Sequence, residues 1–176
     1  MIRPVDRKGL VLILTAWSIS ILFILAKGSL MNQAIHKGIN IDLVIIITVY
    51  LLASQSVASA GIFIFCMGFL IDVLSGGVLG FFTLLYLLVY IAARMLSHPI
   101  DLLSPGGRVT IVFIAVIFKE LLMVALLTLF SFDSAFDIKD LLGFILSALV
   151  TCLLSPVVFY FFRRIEGTAS SVEREF

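Results

Sequence analysis

The sequence predicts an all-α protein, a polytopic membrane bundle of six transmembrane helices. Three observations point there. Of the 176 residues, 62% are hydrophobic and only 13% charged, and the mean hydropathy is +1.24. Soluble domains carry about 45–50% apolar and about 25% charged residues, so the excess must face lipid. The apolar residues are gathered into six long runs, and short polar connections separate them.

A helix needs about 20 apolar residues to cross a hydrocarbon core ~30 Å thick. The six runs that meet or approach this are Leu10–Ala26, Ile39–Ala53, Val57–Leu74, Val78–Leu96, Val109–Phe130 and Leu141–Phe162. All belong to one membrane domain over residues 1–176. The first run follows Arg3, Arg7 and Lys8 in the manner of a signal peptide. It is followed by Lys27-Gly28-Ser29-Leu30 instead of a small-x-small cleavage pattern, so a retained first helix is expected. The second run is the shortest: Asp42 stands near its start and Ser54-Gln55-Ser56 follows it. The connection Ser75-Gly76-Gly77 is so brief that the third and fourth helices must form an antiparallel hairpin. Residues 166–176 read as a short, polar, loosely ordered tail.

Lys and Arg set the orientation. With the N-terminus inside, Arg3, Arg7, Lys8, Arg94, Arg108, Arg163, Arg164 and Arg174 fall on the cytoplasmic side. Lys27, Lys37 and Lys139 fall outside, and Lys119 lies within a span. Eight against three favours both termini inside and an even number of crossings, which argues for keeping the short second run.

Charges within spans are costly and mark candidate functional positions. Asp72, Lys119 and Glu120 are the three expected here. Asp72 sits in a run where Gly68, Asp72, Gly76 and Gly80 recur every fourth residue. In a continuous helix these form one small-residue stripe for close helix packing. If Gly76-Gly77 breaks the helix, Asp72 or Ser75 instead caps the fourth helix, where free N–H groups need acceptors. A partner-facing or substrate-facing carboxylate is the other reading of Asp72. Lys119 and Glu120 are adjacent and point about 100° apart on a helix, so they are not expected to pair face to face in sequence, and each needs a different neighbour or Lys119 must snorkel. Lys119 is expected to pair with Asp72 or Glu120 across a helix interface as a structural clasp. Contact with a protein partner, or an ion or substrate site, are the alternatives.

Other residues read as structural. Cys66 and Cys152 lie in apolar runs with no C-x-x-C spacing, as small packing residues. Pro156 is expected to kink the last helix by removing a ladder bond to Cys152. His36 and His98 fall on opposite sides of the membrane, so they cannot share a metal. No hydrolase elbow or metalloprotease motif is present, so neither an enzyme nor a cofactor is expected. No basic cluster exceeds Arg163-Arg164, and nucleic acid is not an expected partner.

The run Gly68-Phe-Leu-Ile-Asp72-Val-Leu-Ser75-Gly76-Gly77-Val-Leu-Gly80 resembles the MreD family of bacterial rod shape-determining membrane proteins. Its Ile71, Asp72, Ser75, Gly76 and Gly80 fill the family's L/I-D-x-x-S-G-x-x-x-G signature at the third–fourth helix junction. Length, span number and short loops are also similar, while the specific part covers about twenty residues. The resemblance implies a non-enzymatic scaffold of the elongation (Rod) complex in the bacterial inner membrane. It implies MreC as the main partner, and MreB, RodA and a class B penicillin-binding protein as complex members. It also implies a fold similar to the substrate-binding subunits of energy-coupling-factor vitamin transporters. Such a transporter subunit is the main alternative function. The packing or partner-binding candidates are Gly68, Asp72, Ser75, Gly76, Gly80, Lys119 and Glu120.

Overall fold

The computed structural model describes residues 7–31, 41–76, 78–100, 104–129 and 138–172. His36, Lys37, Gly77 and the connections 32–40, 101–103 and 130–137 lie outside the described residues. Among the described residues the secondary structure is wholly helical. It comprises α1 (Arg7–Met31), α2 (Leu43–Ser54), α3 (Val57–Ser75), α4 (Phe81–Leu96), α5 (Pro105–Leu129) and α6 (Ile138–Val172).

Five of these helices form a ring and the sixth fills it. Going round, α1 packs on α3, α3 on α4, α4 on α5, α5 on α6, and α6 back on α1. Helix α2 stands in the middle and touches all five. Its sequence explains the position. Leu43–Leu52 is buried at every residue, on all sides of the helix, so it has no solvent face to present. Its 12 residues rise only ~18 Å, well short of a hydrocarbon core.

The molecule is apolar outside as well as inside. Ile62, Phe65, Phe69 and Val73 on α3, Leu84, Ile91 and Met95 on α4, and Leu153, Val157 and Phe161 on α6 are all exposed. Asp42, Asp72, Lys119 and Glu120 are buried. A soluble monomer rarely exposes large contiguous apolar surface. Charges turned inward and hydrocarbon turned outward are what a lipid solvent selects. Three helices are long and apolar enough to cross a membrane: Val57–Ser75, Gly106–Leu126 and Ile145–Ile165. The apolar parts of α1, α2 and α4 are shorter, at Val11–Ala26, Leu43–Ser54 and Phe81–Leu96. The chain is therefore a membrane-embedded helical protein.

Several expected boundaries change, at the start of α4 and the end of α6 among them. Helix α4 starts at Phe81, not Val78. Val78 and Leu79 are apolar but belong to the turn, and hydropathy cannot separate an apolar turn from a helix. Helix α6 extends to Val172, so most of the expected loose tail at 166–176 is helical. It also stays helical through Pro156. Proline takes away the N–H that Cys152 O would accept, and Ser155 Oγ–H donates to that carbonyl instead, at 2.8 Å.

Candidate functional site

The seven residues singled out in the sequence fall into two separate places. Five of them, Gly68, Asp72, Ser75, Gly76 and Gly80, build the α3–α4 hairpin. Helix α3 ends at Ser75, with Gly76 as its left-handed C-cap (φ 63°). The small-residue stripe along one continuous helix therefore does not form. Gly80, at φ 93°, holds the N-cap position of α4 but offers its first turn no side-chain acceptor. Asp72 supplies that acceptor from the facing helix. Its Oδ1 accepts from Phe82 N–H at 2.8 Å and its Oδ2 from Thr83 N–H at 2.9 Å, and Thr83 Oγ1–H also donates to Oδ2. The buried charge is thus spread over three donors at the positive end of a helix. Ser75 Oγ–H donates to Asp72 O at 3.1 Å, within the last turn of α3.

Gly68 sets how closely the two helices meet. A Cβ on it would lie 2.9 Å from Thr83 Cα and 3.2 Å from Phe82 O, both backbone atoms. Gly76 and Gly80 have no such neighbours; their left-handed backbone is what calls for glycine. Among the described glycines of this junction, one serves contact and two serve conformation.

Lys119 and Glu120 belong to the second place, in the interior of the ring. Lys119 does not pair with Asp72, which the α4 N-terminus occupies. Its Nζ–H donates to Asp42 Oδ2 at 2.9 Å. The same carboxylate oxygen accepts from Tyr86 OH at 2.8 Å, and Asp42 N–H reaches Thr151 Oγ1 at 3.4 Å. Lys119 Nζ also lies 3.0 Å from Glu120 Oε1. Of the two expected partners of Lys119, Glu120 is the one it meets, within α5 and not across a helix interface: the lysine stem is long and flexible enough to bring its ammonium back alongside the next side chain. Glu120 Oε1 nonetheless accepts no hydrogen bond. The contact is an ion pair without hydrogen-bond alignment.

This cluster ties together α2, α4, α5 and α6. Asp42 stands at the N-terminus of α2, where the helix dipole favours a negative charge, yet its side chain makes no capping bond to α2. It is turned toward Lys119 and Tyr86 instead. Asp42 and Lys119 are 2% and 4% exposed, so solvent screens neither. Asp42, Tyr86 and Thr151 were not picked out from the sequence. Asp42 read only as a flaw at the edge of a weak span. The one available signal was that Lys119, in mid-span, needs a partner, and Asp42 is an acid beside an apolar run.

The end of the ring near the C-terminus of α2 is organised by aromatics. Tyr50 stacks on Phe159 at 6.0 Å and meets Phe162 at 5.2 Å, and the Arg108 guanidinium lies 5.8 Å over the Tyr50 ring. That is cation–π range. Tyr90 OH donates to Val57 O at 2.6 Å, fastening α4 to the start of α3.

No family model, curated protein or solved structure matches the chain.

Proposed function

We propose that this chain is a non-enzymatic membrane scaffold of the bacterial elongation complex, of the MreD type. In this reading it supports cell shape and lateral peptidoglycan synthesis by binding MreC, with MreB, RodA and a class B penicillin-binding protein as complex members. It crosses the inner membrane six times with both termini cytoplasmic, and α2 with its flanking segments makes the second crossing.

The observation that carries the proposal is what the signature residues do. Ile71 to Gly80 carries the resemblance, and its polar and glycine positions serve one internal device. Asp72 anchors the first turn of α4, Ser75 closes the last turn of α3, and Gly76 and Gly80 turn the chain. A signature spent on holding a hairpin suits a protein that works through its shape. The exposed α3 stripe of Ile62, Phe65, Phe69 and Val73 offers an apolar face on which a single partner helix can lie.

One observation favours the second reading, a substrate-binding subunit of a small-molecule transporter. It is the charged cluster at the buried N-terminus of α2, since half-helix ends of this kind line sites in other transport proteins. Co-purification with MreC in mild detergent, combined with depletion in a rod-shaped host, separates the two. Retained MreC and rounded, swollen cells are expected. Rod-shaped cells with a nutrient requirement, and no retained MreC, would favour the transporter.

A further inference from the structure

The outward face of α6 is apolar along its length and basic at one end. Leu153, Val157 and Tyr160 are 81%, 62% and 68% exposed. Arg164 comes four residues after Tyr160, so the four positions share one face of the helix, and the exposed Phe161 and Arg163 flank it on either side. Leu153 is near the middle of the apolar stretch Ile145–Ile165. Arg164 lies ~16 Å beyond Leu153 along the helix, about half the depth of a hydrocarbon core ~30 Å thick. The two arginines, the only charged residues of that stretch, therefore stand at the level of headgroup phosphates. A third guanidinium belongs to the same end. Arg108 lies over the Tyr50 ring, and Tyr50 meets Phe162, the neighbour of Arg163 in sequence. Each guanidinium has several N–H donors, so a contact within the protein leaves others for phosphate oxygens.

We propose that this end of α6 holds one anionic phospholipid, with Arg163 and Arg164 on its phosphate and an acyl chain along Tyr160, Val157 and Leu153. Charge selects the headgroup: a zwitterionic lipid brings its own ammonium beside the phosphate, and an anionic lipid does not. The apolar face running from the arginines to mid-span selects a lipid over a free anion, which has nothing to lay there. The inference rests on the chain being membrane-embedded and is independent of the scaffold reading.

The full chain in a neutral detergent is offered an equal mixture of phosphatidylglycerol and phosphatidylcholine with identical acyl chains, and retained lipid is counted by native mass spectrometry. One phosphatidylglycerol per chain is expected, favoured roughly twenty-five-fold, since each arginine near an anionic headgroup is worth about fivefold. Arg163→Gln combined with Arg164→Gln is expected to bring the ratio close to one. Arg163→Lys with Arg164→Lys should keep a clear preference, because the charge remains. If the glutamine pair does not fold, Arg164→Gln alone is expected to lower the ratio about fivefold. Glycerol phosphate, which carries the anion without the chains, should not displace the lipid, and displacement would overturn the proposal in favour of a free-anion site. Equal retention of the two lipids by the wild type overturns it as well. So does a ratio that the glutamine variants leave unchanged, which would place the anionic lipid elsewhere on the bundle.

Discussion

At the scale of residues, burial gives the charged side chains unequal weights. Removing the ammonium of Lys119 leaves Asp42 and Glu120 facing each other in the interior without their shared base. Removing the charge of Asp42 leaves Lys119 and Glu120, one of each sign. Lys119→Met is therefore expected to cost about 3–5 kcal/mol, the range for breaking a buried pair. Adding Asp42→Asn to Lys119→Met should cost less than the sum of the two, because the residues share one contact. Thermal unfolding in detergent, followed by circular dichroism, measures all three. Strictly additive costs would show that the two residues do not act through their shared contact. Exchanging the residues at 72 and 119 is not a rescue, since each has other partners.

At the scale of elements, the α3–α4 hairpin distinguishes two uses of glycine. Gly68→Ala drives a methyl to 2.9 Å from the Thr83 Cα, where backbone must move. The expected loss is about 1–3 kcal/mol, the usual cost of overpacking. Gly76→Ala meets no atom and pays only for its left-handed φ of 63°, about 1–2 kcal/mol. Amide hydrogen exchange separates them: Gly68→Ala should loosen Phe82 and Thr83, whose N–H groups bond Asp72, and Gly76→Ala should leave them protected. Loss of protection in both would show that the turn, not the close approach, holds α4. The hairpin itself was legible in the sequence, because Ser75-Gly76-Gly77 leaves no room for anything else. The start of α4 was not, because Val78 and Leu79 have the composition of a helix and the position of a turn.

At the scale of the whole molecule, the ring around α2 makes the bundle apolar on its outer surface and charged at two points within. In the proposed topology Leu79 lies at the outer end of the α3–α4 hairpin and His98 at the inner end of α4, and both are exposed. With Cys66 and Cys152 replaced, Leu79→Cys is expected to react with a membrane-impermeant thiol reagent in intact spheroplasts. His98→Cys should react only after permeabilisation. Reaction of both from the outside would remove the six-crossing arrangement.

Taken alone, the sequence determined the class of protein, the helices and the tight hairpin, because these follow from local composition and from how few residues separate two apolar runs. It also marked Asp72 and Lys119 as charges in need of partners. Only the tertiary structure decided which partners those are. Lys119 and Asp42 lie 77 positions apart, and no local pattern links them. The central place of α2 was equally hidden. A helix that is apolar on every side has the same sequence whether lipid or protein surrounds it, and only the closing of five helices around α2 determines which.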